Sequence, residues 1–149
     1  MALQEIVERL RSDIDVSRVT LRQERPDAAD EAVFPVTHES TAPGVGSIVD
    51  LETPNMAGQP VVLEVLAGNQ VVQPDCVAEF VDDEPFHVML GLYGGMRAQI
   101  VTPVVIGGAT RGIVSAHELR RTREWTDSEV ARCRDAVERV RAELTHGPS

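Results

Sequence analysis

The segment RAQIVTPVVIGGATRGIVSAHELRRTREWTDSEVARC, residues 97–133, constrains the fold more than any other part of the chain. Residues 97–106 are apolar on both faces, the pattern of a central strand covered on both sides. Gly107, Gly108 and Ala109 turn the chain, and TRGIVSAHEL returns it as an antiparallel partner. A burst of arginines follows. Then Thr126, with Glu129 three residues on, forms a capping box that opens a helix, flanked by Trp125 and Val130 as a hydrophobic staple. Val130, Cys133, Val137, Val140 and Leu144 recur at spacings of three and four, a narrow a/d seam. A buried hairpin that hands over to a capped helix implies a sheet with a helix laid on one face. The arginines then read as the solvated exit of the strand, beside a helix N-terminus rich in Asp and Glu.

The remaining elements fit that frame. Leu3, Ile6, Val7, Leu10 and Ile14 mark an N-terminal amphipathic helix. In VSRVTLRQE, Val19 and Leu21 alternate with Arg18, Thr20 and Arg22, which predicts a strand. RPDAADEA is a turn. VFPVTHES is a second strand with Phe34, Val36 and His38 on one side, and Pro35 marks it as an edge strand. Residues 41–59 form a long loop with one helical turn at SIVDLE. PVVLEVLAGN is a short helix with Pro60 at its first position and Gly68 past its last turn. QVVQPDC is a short strand, and DDEPFHVMLGLYGG is a short, mostly buried helix or an ordered loop. Strands joined by hairpins, with helices segregated around them, define the α+β class with an antiparallel sheet. The two terminal helices pair on one sheet face, and their near-3.5 seams could also meet their mates across a two-fold axis as a four-helix bundle.

Composition excludes several functions. A chain of 149 residues, 42% hydrophobic, suits one domain spanning 1–149. The net charge is −10 and every one of the 14 basic residues is arginine, so a phosphate-binding nucleic-acid surface is disfavoured. No stretch approaches the roughly 18 apolar residues of a membrane span, and the charged N-terminus lacks the apolar core of a signal peptide. The chain is expected to be soluble and cytoplasmic. Two cysteines, Cys76 and Cys133, make neither a disulfide framework nor a metal knuckle. His38, His87 and His117 share no local i, i+3 or i+4 spacing, so no metal motif is present. APGVGS lacks the Lys-Ser/Thr of a phosphate loop. No nucleophile, base and orienter assemble locally.

The C-terminal segment MRAQIVTPVVIGGATRGIVSAHELRRTREWTDSEVARCRDAVERV resembles the ending of GAF domains: apolar strand, small-residue turn, Gly-hydrophobic-hydrophobic strand, arginine-rich exit, capped long helix. PVVLEVLAGNQVVQPDC is similar to the family's helix, Ala-Gly corner and short strand. The resemblance spans roughly residues 1–145 and is densest from residue 60 onward. It implies about six antiparallel strands, terminal helices on one face, and a small-molecule pocket on the other. EPFHVMLGLYGGMRAQ also resembles the pocket region of bilin-binding GAF domains, matching His87, and GIVSAH resembles their last strand, matching His117. The Asp-Ile-Pro motif of those domains is missing here. Phe86 stands where some of them carry the chromophore-linking cysteine, so covalent attachment at that position is excluded.

Hairpin register decides which side chains meet. A three-residue loop, Gly107-Gly108-Ala109, sets Gln99 opposite His117 and Val101 opposite Ser115; a two-residue loop sets His117 against Ile100. The resemblance favours the three-residue case, which gathers Arg97, Gln99, Ser115 and His117 into a polar patch on an apolar face. The expected pocket is His87, Leu90, Tyr93, Arg97, Gln99, Ser115 and His117, with His38 as a further candidate. In it Arg97 meets an acidic group and the histidines hydrogen-bond the ligand, whose identity the sequence does not give, and no cofactor is indicated. Three readings follow. The first is a dimeric sensor that passes occupancy to a partner protein. The second is a small enzyme like the free methionine sulfoxide reductases of this family, acting through Cys76 or a histidine. In that reading Cys133 is a core residue and Cys76 lacks a resolving partner. The third is an interaction module whose terminal-helix dimer is the whole function.

Overall fold

The computed structural model describes residues 2–24, 34–51 and 58–146. In chain order the elements are α1 (Leu3–Ile14), β1 (Arg18–Gln23), β2 (Val36–Thr41), α2 (Pro60–Leu66), β3 (Val71–Gln73), a 3-10 turn (Cys76–Ala78), α3 (Glu84–Leu92), β4 (Ala98–Ile106), β5 (Ala109–Glu118) and α4 (Asp127–His146). The described strands form one five-stranded antiparallel sheet in the order β2-β1-β5-β4-β3. The fold is α+β, as the strand and helix signals require. β2, the strand preceded by Pro35, lies on an edge. The ambiguous segment after Asp83 is a helix. Asp83 caps it by accepting from the amide of Phe86 at 3.0 Å. The turn RPDAADEA lies outside the described residues. Of SIVDLE, the part up to Leu51 is a hydrogen-bonded turn, Leu51 N donating to Ile48 O.

Two cores sandwich the sheet. On one face α1 contributes Ile6, Val7, Leu10 and Ile14, and α4 contributes Cys133, Ala136, Val137 and Val140. These pack on Val19, Leu21, Ile100, Val104, Val114 and Ala116. Each aliphatic side chain so buried stabilises the fold by roughly 1.5–3 kcal/mol. The capping box forms as expected: Thr126 N donates to Glu129 Oε1 at 2.9 Å and Glu129 N donates to Thr126 Oγ1 at 3.1 Å. On the other face Val61, Val65, Phe86, Met89, Leu90 and Tyr93 pack over Val101 and Ile113. No described helix is long and apolar enough to cross a membrane.

Two bulges, invisible in the sequence, set the register. The β4–β5 turn has two residues, Gly107 and Gly108, both at positive φ (61° and 81°), with Ile106 opposite Ala109. The expected three-residue loop is therefore corrected. A bulge at Arg111 then shifts the ladder, because Val105 faces Thr110 but Val104 faces Gly112. Gln99 thereby lies opposite His117 and Val101 opposite Ser115, the pairing that the longer loop was expected to give. The second bulge is in β2. His38 pairs with Leu21 whereas Val36 pairs with Arg22, so Thr37 is the extra residue. Val36 and His38 consequently face opposite sides of the sheet.

The arginine cuff is a solvated exit only in part: Arg120 and Arg121 are exposed, whereas Arg123 is largely buried. Glu118, at the end of β5, is fully buried, and its carboxylate accepts from Ser17 Oγ (2.9 Å), Arg120 Nε (2.9 Å) and Arg123 Nη1 (2.9 Å). Burial pushes this carboxyl up, but the bonds from Arg120, Ser17 and Arg123 outweigh it and hold the pKa at about 2. Arg123 also bonds Ile14 O, Asp15 O and Glu129, and lies 4.6 Å over the ring of Trp125. Arg120 and Arg123 therefore fasten the end of α1, the end of β5 and the start of α4 to one another.

Candidate functional site

β-strand parity assigns the sheet face turned away from α1 and α4, the one that α2 and α3 cover. Opposite residues of an antiparallel pair share a face. Arg18, Thr20 and Arg22 of β1 therefore stand beside His117, Ser115 and Ile113 of β5, which stand beside Gln99, Val101 and Pro103 of β4. Above this face a cavity of about 50 Å³ is lined by Arg22, Gln59, Val61, Val62, Met89, Tyr93, Gln99, Val101, Ile113, Ser115 and His117. Its walls divide by chemistry. Val61, Val62, Met89, Val101 and Ile113 are apolar; Arg22, Ser115, His117, Gln99 and Gln59 bring hydrogen-bonding groups.

The polar wall is held rigidly. Arg18 is almost fully buried and donates through Nη1 to Nδ1 of His117 (3.0 Å) and to Tyr93 O (3.1 Å), and through Nη2 to Gly46 O (2.9 Å). A guanidinium has no acceptor, so Nδ1 must be the unprotonated nitrogen and His117 carries its hydrogen on Nε2. Burial lowers the pKa of His117 far below its ordinary range, and the charges of Arg18 and Arg22 lower it further, so the ring is neutral. Tyr93 stacks on it at 5.6 Å. Arg22 donates to Tyr93 Oη (2.8 Å) and to Phe34 O (2.8 Å). Burial lowers the pKa of Arg18, with the fields of Glu39 and Tyr93 opposing, but a guanidinium stays charged in proteins. Among the described residues neither Arg18 nor Arg22 forms a salt bridge. Two buried polar atoms on this face, Arg18 Nε and Thr20 Oγ1, have no hydrogen-bond partner among the described residues. Behind Gln99, its Nε2 donates to Gln73 Oε1 at 2.6 Å.

Four of the expected site residues line this cavity: Tyr93, Gln99, Ser115 and His117. The other four stand apart from it. His87 is on the partly exposed side of α3, its Nε2 bonded to Glu79 O at 2.9 Å, and it ties the helix to the preceding turn. Leu90 is a core residue between α3 and the sheet. Arg97 precedes β4 and is exposed. His38 is turned to the opposite sheet face by the Thr37 bulge, and its Nδ1 lies 3.0 Å from Thr37 Oγ1. Phe86, in place of a linking cysteine, is fully buried and meets Phe80 edge-on at 5.2 Å. The sequence reading missed Arg22, Met89, Gln59 and the support of Arg18. The available signal was that Arg18 and Arg22 share β1 parity with Thr20, on a strand whose neighbour carries Ser115 and His117 at the same parity.

The cysteines do not join this chemistry. Cys76 is in the core under α2 and α3, and Cys133 in the core under α1 and α4. Burial pushes both thiols up to about 12, with Glu79 and Asp75 adding to the shift at Cys76 and Glu129 at Cys133. Neither is a thiolate nucleophile near neutral pH. Among the described residues no three His, Cys, Asp or Glu side chains converge to hold a metal ion.

The sheet therefore carries α1 and α4 on one face and, on the other, a small cavity of mixed polarity between the strands and α2 and α3. The family model of the GAF domain matches residues 1–144, and the chain belongs to that family. Solved structures share the fold. The cyanobacteriochrome TePixJ GAF domain is 21% identical, covering 97% of this chain and 87% of that one, with a TM-score of 0.81. The blue-light absorbing form of the Thermosynechococcus elongatus PixJ GAF domain is 23% identical, covering 99% and 95%, with a TM-score of 0.72. The far-red absorbing dark state of JSC1_58120g3, solved with bound biliverdin IXa, is 18% identical, covering 94% and 85%, with a TM-score of 0.73. No curated protein matches the chain.

Proposed function

We propose that this chain is a small-molecule-binding sensory domain that passes ligand occupancy to a partner protein, acting in the cytoplasm as a homodimer through its terminal helices. The observation that carries this reading is the cavity between the sheet and α2 and α3, where a wall of hydrogen-bonding groups faces an aliphatic one. The inner seams of α1 and α4 are buried within the chain, so a dimer would use the outward faces of those helices. Two features weigh against a bilin like the biliverdin of JSC1_58120g3: the cavity of about 50 Å³ is small for four pyrrole rings, and Phe86 offers no thiol for a thioether link. The inert thiols weigh against the methionine sulfoxide reductase alternative.

A thermal-shift screen of small metabolites, followed by native mass spectrometry, tests the reading. A ligand at a hundredfold over its Kd adds about 2.7 kcal/mol, which raises Tm by several degrees. A screen in which no compound raises Tm, and in which the purified protein carries none, sinks it.

A further inference from the structure

The polar wall of the cavity is made mostly of donors, and among the described residues its positive charge has no salt-bridge partner. Arg22 uses two of its five N–H groups on Phe34 O and Tyr93 Oη. His117, its Nδ1 occupied by Arg18, offers only Nε2–H, which has no acceptor among the described residues. Ser115, between the two on the same sheet face, adds a hydroxyl without a protein partner among the described residues. Arg18 supplies a second positive charge behind His117. Glu39, the acid whose field it feels, lies beyond salt-bridge reach and accepts from Ile48 N. A buried charge without a counterion is costly, and an anion entering the cavity would relieve that cost. Neutral ligands would not. The facing wall of Val61, Val101 and Ile113 rewards a short apolar body, and about 50 Å³ restricts that body to a few heavy atoms.

We infer, building on the sensory reading, that the ligand is a short-chain aliphatic carboxylate, its carboxylate held by Arg22, Ser115 and the Nε2–H of His117 and its alkyl end against Val61, Val101 and Ile113. The carboxylate can take two parallel bonds from a guanidinium, the strongest pairing these side chains offer.

Titration calorimetry of the full chain with sodium butyrate, 1-butanol, butylammonium chloride and inorganic phosphate tests the assignment. Butyrate binds saturably, about tenfold or more tighter than each of the other three. Arg22→Gln, with folding verified by circular dichroism, lowers butyrate affinity about tenfold or more, and Arg22→Lys recovers part of it. The wild-type series stands even if both variants misfold. Equal binding of butanol or butylammonium, phosphate binding as tight as butyrate, or full affinity in a folded Arg22→Gln overturns the inference. Silence of butyrate beside a neutral hit in the metabolite screen overturns the carboxylate but leaves the sensory reading. Silence throughout ends both.

Discussion

Arg18 and His117, 99 residues apart in sequence, meet at 3.0 Å across β1 and β5 and fix each other. The arginine can only donate, so it selects one imidazole tautomer, and its charge joins burial in keeping that ring unprotonated. The unfolded chain has no such constraint, and its histidine titrates near 6.5. Below that pH the unfolded state takes up a proton that the folded state refuses, so stability falls as pH drops. The slope attributable to His117 is at most about 1.4 kcal/mol per pH unit, continuing until its own depressed pKa is reached. Urea unfolding at pH 7.5 and pH 5 measures it. His117→Gln should flatten the difference, and nitrogen NMR of the wild type should find the hydrogen on Nε2.

The clasp around Glu118 operates in a lower range. Its carboxyl, held at about 2, is ionised in the folded state at any pH where an unfolded glutamate begins to protonate, near 4.3. Its contribution is complete above about 4.3 and is lost as pH falls from there toward 2. Glu118→Gln should cost about 3 kcal/mol near neutral pH, because it leaves the largely buried Arg123 without its buried partner. The loss should appear in chemical denaturation and should shrink below pH 4. An unchanged midpoint at pH 7 would contradict the clasp.

The hairpin tip gives a conformational test. A Cβ at Gly107 or Gly108 would meet nothing within 4 Å, so the cost of alanine there is only that of positive φ. Each substitution should destabilise by about 1–2 kcal/mol. Gly46→Ala, in equally open space and without positive φ, should be nearly silent in the same melting experiment.

Thiol chemistry provides a fourth check. With both pKa values near 12 and both side chains buried, Cys76 and Cys133 should resist a disulfide-exchange reagent at pH 8 in the folded protein. Both should react promptly in denaturant. Rapid labelling of native Cys76 would reopen the enzymatic alternative.

Much of this architecture was legible in the order of residues. The spacing of Ile6, Val7, Leu10 and Ile14, the Thr126–Glu129 box and Pro35 before an edge strand each act over a few neighbours, so local pattern captures them. The site was half legible, because its contents depend on register. Nothing in ATRGI or VTHES marks Arg111 or Thr37 as the additional residue of a bulge, yet those two positions decide that Gln99 meets His117 and that His38 does not join them. Arg18 and Arg22 alternate with Val19 and Leu21 as solvent-facing residues would. Only the layer folded over them, Tyr93 and the segment after Gln59, converts that face into an interior. The same layer explains His87: one position along α3 separates it from Phe86, which the core receives.

The bulge at Arg111 also makes the hairpin a matter of odd and even. Between the glycine tip and Ser115, one residue gained or lost would trade the polar lining for the aliphatic set now packed under α4, whereas two would restore the present lining. Chains of this design can therefore vary the length of β5 ahead of Ser115 only in pairs if they are to keep their binding chemistry. A relative with a single extra residue there would be expected to have abandoned the ligand while keeping the fold.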